Sequence, residues 1–205
     1  MNRNALPGNL DKNNTVCFTG HRPNKLAGYE EHNYDAFVAD LTQIVLDLYG
    51  KGFRNFVTGL AQGVDQLMFW AVMRAKKTHP DIKNVVFMPF RGQELRWAKQ
   101  GLFSQDDYAK ILKHCDLLHV CTEERPVEYR DAARLLMNRN EDMCNVSSMC
   151  IAICMSDDWR KDKGGTAACM RYQYAKDRNG IMQCKPYMQD GTLRCSTKPI
   201  CAPEL

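Results

Sequence analysis

Asn55-Phe56-Val57-Thr58-Gly59-Leu60-Ala61-Gln62-Gly63-Val64-Asp65 is the stretch on which the fold turns. Its first four residues read as a short strand. Gly59 to Asp65 break that strand, and beyond them Leu67, Met68, Ala71, Val72 and Ala75 recur at the three- and four-residue steps of a helix with one apolar face. A strand, a glycine-containing turn and a helix in that order form the repeating unit of a parallel α/β sheet.

The same unit recurs on both sides of this stretch. Upstream, Thr15 to Thr19 is β-rich and runs into Gly20-His21-Arg22-Pro23; Tyr34, Phe37, Val38, Leu41, Ile44, Val45 and Leu48 then mark a helix stopped by Gly50 and Gly52. Downstream, Asn84 to Met88 is a strand closed by Pro89, Asp107 to His114 a helix, Leu117 to Cys121 a strand, Arg130 to Met143 a longer helix, and Met149 to Met155 a strongly apolar strand. A charged loop, Asp157 to Lys163, leads to Gly164-Gly165-Thr166, which opens a helix to Lys176, and a last strand begins near Ile181. The strands are apolar rather than alternating, as strands covered on both faces must be. The expectation is an α/β, Rossmann-like fold: a mainly parallel sheet with helices on both faces and right-handed crossovers. The 205 residues suit a single domain, with a polar lead over 1–14 and an unassigned tail over 186–205 that carries Pro186, Pro199, Pro203, Cys195 and Cys201.

Hydrophobic residues at 44% and charged residues at 25% match a soluble globular chain. The formal charge of +4 is spread without a polycationic tract, which argues against nucleic acid as a partner. The sequence shows neither a signal peptide nor an apolar stretch long enough to span a bilayer, so no membrane association and a cytoplasmic location are expected. The ten cysteines lack paired CxxC spacing; Cys17, Cys115, Cys121, Cys150 and Cys154 lie within or beside apolar stretches, and Cys169, Cys184, Cys195 and Cys201 follow at irregular intervals. Reduced, buried thiols and no metal are expected from that pattern. No cofactor is implied.

In an open parallel sheet, ligands bind beyond the carboxyl ends of the strands, where helix N-termini offer unpaired amides. Three segments end a strand this way: Thr19-Gly20-His21-Arg22, Gly59 to Asp65 (including Ala61 and Gly63), and Gly164-Gly165-Thr166. Glycine lets a backbone approach an anion, Thr19 and Thr166 add hydroxyl donors, and Arg22 suits a bidentate phosphate clamp. Each turn taken alone is explained by turn geometry, but all three fall on one edge of the sheet. Asp65 reads equally as a helix-start residue or as an acceptor for ribose hydroxyls. His21 reads equally as a ligand contact or as a loop-packing residue. Trp97 and Trp159, near loop ends, are better stacking candidates than Trp70, although burial is the commoner role for all three. Asp106, Asp107, Asp157 and Asp158 are expected to be caps or solvated charges.

Val16-Cys17-Phe18-Thr19-Gly20-His21-Arg22-Pro23, with Lys25-Leu26 and Gly28-Tyr29, followed by Thr58-Gly59-Leu60-Ala61-Gln62-Gly63-Val64-Asp65 and then by Gly164-Gly165-Thr166, resembles the SLOG superfamily (the SMF/DprA and LOG group), in particular its YpsA-like branch. The resemblance spans residues 15–185. It implies a Rossmann-like fold that binds a nucleotide or nucleotide-derived signal such as an ADP-ribose derivative, as a sensor or sequestering protein, and a homo-oligomeric assembly. The LOG branch contains phosphoribohydrolases that use an arginine on a helix and a glutamate after a glycine-rich turn. Arg139, in Met137-Asn138-Arg139-Asn140-Glu141, is the position matching that arginine, and it is the catalytic candidate if the chain is an enzyme. Ala167-Ala168-Cys169-Met170 supplies no carboxylate after the turn, which favours binding over catalysis. Two alternatives stand beside the binding reading: an N-glycosidase in which Asp65 or Glu141 replaces the missing glutamate, and single-stranded nucleic-acid binding of the DprA type, which the modest charge disfavours.

Overall fold

The computed structural model describes residues 3–197 and 200–201. Six strands lie parallel to their neighbours: β1 (Thr15–Gly20), β2 (Asn55–Thr58), β3 (Lys83–Met88), β4 (Leu117–Val120), β5 (Met149–Ile153) and β6 (Ile181–Cys184). Between them run α1 (Asp35–Gly50), α2 (Val64–Lys76), α3 (Gln105–His114), α4 (Tyr129–Val146) and α5 (Gly165–Lys176). The strand order is β4-β3-β2-β1-β5-β6, and a short antiparallel strand, β9 (Ile200–Cys201), extends it beyond β6. The Rossmann-like α/β fold expected from the sequence is the fold the chain adopts.

Alternation along each strand sorts the core into two layers. Val16, Phe18, Phe56, Ile151 and Ile153 face α1 and α2, meeting Phe37, Leu41, Leu67 and Met68, with Phe18 and Phe56 stacked at 6.2 Å between ring centroids. Cys17, Val57, Val85, Phe87 and Cys150 face the other way, toward Met143 and Cys144 of α4 and Cys169 of α5. Each fully buried Phe or Leu contributes about 1.5–3 kcal/mol, so both layers are needed to hold the sheet. Two helix starts carry side-chain caps: Ser104 Oγ accepts the Asp107 amide at α3, and Glu128 with Asp131 form a reciprocal capping box at α4. Asp106 and Asp107 therefore lie in the first turn of α3, while Asp157 pairs with Lys185 and Asp158 with Arg160 in the charged loop.

The tail that the sequence left unassigned forms a hairpin, β7 (Pro186–Gln189) and β8 (Thr192–Cys195). Asp190 and Gly191, at φ 50° and 75°, make its two-residue turn. Leu193 and Cys195 join the α1 side of the core, and Arg194 grips Asp40 of α1 through two bonds of 2.8 and 2.7 Å while the Cys195 amide donates to the same carboxylate. Of the tail's landmarks, Pro199 and Pro203 fall outside the described residues. Among the described residues no helix is long and apolar enough to cross a membrane.

Candidate functional site

The strand order reverses between β1 and β5. After β1 the chain steps outward through β2, β3 and β4, and α4 then returns it to the other side of β1. At such a switch point the connections leave in opposite directions and open a crevice beyond the strand ends. Gly20 and Ile153, register partners at those ends, mark its floor.

Two of the three glycine turns are locked into each other. Gly63, at φ 93°, passes so close to the first turn that a Cβ there would overlap the His21 carbonyl oxygen and lie 3.0 Å from Arg22 Cα. The same carbonyl accepts the Val64 amide at 3.1 Å, satisfying one of the orphan donors of α2. A Cβ on Gly20 would sit 2.6 Å from the Val64 side chain, and one on Gly59 would fall on the guanidinium of Arg139. Between them Leu60, fully buried, adopts the left-handed conformation at φ 63°, at a cost of about 1–2 kcal/mol for a residue with a side chain. The third turn is stitched on from the opposite side: Thr166 Oγ1 donates to the Gly20 carbonyl at 2.9 Å and the Met155 amide donates to His21 Nε2 at 3.0 Å. Thr166 thus spends on Gly20 the proton that the sequence reading offered to a phosphate. His21 accepts at Nε2, and burial, with Lys25 adding and Asp162 opposing, lowers its pKa.

These turns surround a cavity of about 740 Å³, within the range of small-molecule sites. Thr19, Gly20, His21, Arg22, Ala61, Asp65, Arg139, Gly164, Gly165 and Thr166 all line it; Gly59 and Gly63 do not, because both are covered by neighbouring protein. One wall comes from α4, through Tyr129, Ala133, Leu136, Met137 and Asn140, and another from Trp159, Asp162, Lys163 and Arg171. Five cationic side chains, Arg22, Lys25, Arg139, Lys163 and Arg171, face two carboxylates, Asp65 and Asp162, which biases the cavity toward anions.

Two of those arginines differ in their freedom. Arg139 is 4% exposed, and its Nη1 donates to Asp65 Oδ2 at 3.0 Å; the same oxygen accepts the Ala61 amide at 3.1 Å, while Arg139 Nε has no protein partner. The Arg22 side chain makes no hydrogen bond or ion pair among the described residues, although its carbonyl accepts the Lys25 amide at 2.9 Å. Although Arg22 is exposed, nearby protein strips enough water from its guanidinium to lower the pKa, with Asp65 opposing and Arg139 adding to the effect. An arginine stays charged at any physiological pH, so Arg22 is a cation awaiting a counter-ion. On the wall of the same cavity, α5 begins after Gly164, its N-cap, without a side-chain cap; the first amide bonded within the helix is that of Ala168, leaving Gly165, Thr166 and Ala167 as helix-end donors.

The carboxylates separate as well. Asp65 lines the cavity but is held by Arg139 and Ala61, whereas Glu141 lies outside it, paired with Arg3 at 2.7 Å, so the glycosidase alternative that used Glu141 loses its geometry. Of the residues after Thr166, Ala167, Ala168 and Met170 line the cavity and Cys169 is buried behind them. Trp159, a stacking candidate from sequence, is 4% exposed and set edge-on to Tyr174; Trp97 packs on Tyr108 and does not reach the cavity. The sequence reading did not single out the α4 wall or Lys163 and Arg171. Leu136, Met137 and Asn140 sit three and four residues apart with Ala133, a helical stripe that was available as a signal.

A model of the YspA SLOG family, designated YpsA, matches residues 16–182. The chain belongs to the YspA SLOG family. Among other proteins it is similar to the uncharacterized SPbeta prophage-derived protein YoqJ of Bacillus subtilis (strain 168), 32% identical over 108 residues that cover 48% of this chain and 60% of YoqJ. It is also similar to the UPF0398 protein BH1768 of Halalkalibacterium halodurans, 26% identical over 134 residues, 62% of this chain and 69% of that protein. The X-ray structure of DNA processing protein A (DprA) from Streptococcus pneumoniae superposes with a TM-score of 0.51 at 15% identity, covering 88% of this chain and 53% of that one. The DprA likeness is one of fold. The first two turns of this SLOG chain and its α5 turn all fall inside the segment the family model matches.

Proposed function

We propose that this SLOG chain binds a nucleotide or nucleotide-derived ligand, such as an ADP-ribose derivative, and serves as a sensor or sequestering protein for it. The observation that carries this is that the unpartnered Arg22 side chain and the uncapped N-terminus of α5 line one cavity. A phosphate between them accepts amides from one side and a bidentate guanidinium from the other. The apolar α4 stripe then offers a surface for a base or ribose face, and Asp65, its second oxygen not engaged by Arg139 or Ala61, is placed for a hydroxyl.

Titration calorimetry with nucleoside monophosphates, ADP-ribose and NAD tests the proposal. Binding is expected for at least one phosphate-bearing ligand and is expected to weaken about 10- to 100-fold in Arg22→Ala, the cost of a charge-assisted hydrogen-bond pair. No heat from any of them, or an unchanged affinity in Arg22→Ala, defeats it.

One arrangement favours a second reading, the phosphoribohydrolase: Arg139 and Asp65 meet inside the same cavity. Free base released at turnover and abolished by Arg139→Ala would establish that activity. We also infer that copies associate, since Val127 and Tyr129 stand 87% and 83% exposed at the rim formed by the start of α4; light scattering after gel filtration checks it. The free thiols support a cytoplasmic, reducing setting.

A further inference from the structure

Behind the cavity, within the core, four cysteines meet. Cys17 of β1 and Cys150 of β5 are register partners on adjacent parallel strands, so their side chains leave the same face of the sheet. Cys144, near the end of α4, and Cys169, in the first half of α5, meet them from the helical layer. The sulfurs of Cys17, Cys144 and Cys150 lie within 4.8 Å of one another, and Cys169 Sγ is 3.5 Å from that of Cys144 and 3.9 Å from that of Cys150. All four residues are at most 1% exposed.

We propose that Cys17, Cys144, Cys150 and Cys169 form a structural zinc site that ties α4 and α5 to the centre of the sheet. With metal–sulfur bonds near 2.3 Å, the sulfurs of a tetrahedral site stand about 3.8 Å apart; the separations of Cys169 from Cys144 and Cys150 lie on either side of that value, and binding draws Cys17 and Cys169 toward the shared ion. Two ligands from the sheet and two from the helices above it give the non-planar set that a tetrahedron needs. The donor set is all sulfur, which selects a thiophilic ion, and closed four-thiolate sites are structural ones. The surroundings suit a site that becomes anionic on binding. Lys176, its ammonium donating to the Cys144 carbonyl at 2.6 Å, is a neighbouring cation, and the hydroxyl of Ser147, buried and without a hydrogen-bond partner, is a donor still to be used. Binding displaces the remaining thiol protons to solvent, so loading is weaker at acid pH. The spacing that made zinc unattractive from sequence, with no close cysteine pair, is explained by geometry: the ligands are brought together by strand register and helix packing.

The test uses the full chain produced with zinc in the medium and measured for bound metal, followed by replacement with cobalt. The expected result is about one zinc per chain, a cobalt form with thiolate-to-metal charge-transfer bands and the visible spectrum of a tetrahedral ion, and loss of both signals in Cys17→Ser and Cys169→Ser. Cys121→Ser, in the same layer but outside the cluster, retains them. Wild-type chain that holds no zinc after refolding with zinc and dialysis, or whose cobalt form lacks thiolate bands, overturns the proposal even if the variants do not fold. Zinc retained at full stoichiometry in both variants overturns it as well.

Discussion

The first two glycine turns and the third look alike in sequence and do different work. At Gly20, Gly59 and Gly63 the missing side chain makes room for the protein itself: Val64, the Arg139 guanidinium and the backbone of the first turn. At Gly164 and Gly165 the space is open, with Asn140 Nδ2 at 3.7 Å from a Cβ on Gly165 and nothing within 4 Å of one on Gly164. Glycine at a strand-to-helix turn is therefore evidence of close approach, and only the surroundings say whether the approaching partner is protein or ligand. Here the first pair of turns builds the frame and the third is the open edge facing the cavity.

The contrast breaks most readily at Asp65. Replacement by Ala strands the buried Arg139 guanidinium without its counter-ion and is expected to cost about 3–5 kcal/mol in urea unfolding; a loss below about 1 kcal/mol would show that the pair does not hold the frame. Gly63→Ala comes next, because left-handed strain and overlap with the His21 carbonyl act together, on the order of 3 kcal/mol by the same measurement. Gly164→Ala, strained at φ 108° but unobstructed, is expected to lose about 1–2 kcal/mol. Gly165→Ala sharpens the comparison most: its stability stays within about 0.5 kcal/mol of the parent or rises, while a methyl group at the helix end reduces affinity for a phosphate-bearing ligand about tenfold, one hydrogen bond's worth.

A control far from all three turns is the grip of Arg194 on Asp40. Burial opposes ionisation of Asp40, but the bonds from Arg194 and the Cys195 amide outweigh it and hold the carboxyl below its ordinary pKa. The stabilisation is thus fully present above the unfolded-state value of about 4 and is lost as pH falls through the lower folded value. Arg194→Ala is expected to flatten that acid-side decline in thermal melts and to leave ligand affinity unchanged.

Apolar periodicity located α1 and α2, apolar runs closed by Gly or Pro located the parallel strands, and the Gly164-Gly165-Thr166 turn located α5, whose own sequence has almost no apolar face; the ends of these elements differ by only a few residues, while the short 3-10 turns such as Gln93–Arg96 were not read. The hairpin went unread despite carrying its own signal: Asp190-Gly191 is among the strongest two-residue hairpin turns, and here both residues take positive φ as such a turn requires. Its strands are too short for a period to show. At the cavity, motif residues identified the three turns, but the sequence could not tell a glycine that seats Arg139 from one that faces solvent, since that depends on a side chain 80 residues away. The two tryptophans flagged beside loop ends part company for a related reason: Trp159 reaches the cavity wall packed edge-on to Tyr174, whereas Trp97 packs on Tyr108 away from it, and the tertiary partner each finds is not written in the local sequence.

The Arg139–Asp65 pair has a mechanical consequence. Arg139 belongs to the helical layer on one face of the sheet and Asp65 to the layer on the other, so their bond passes over the strand ends and rivets the two layers together. Sliding of one layer past the other would pull a buried charge from its mate, and the crevice mouth therefore keeps its width before any ligand arrives. Under the proposed binding role, a guest meets a jaw already set, and little of its binding energy is consumed in closing it.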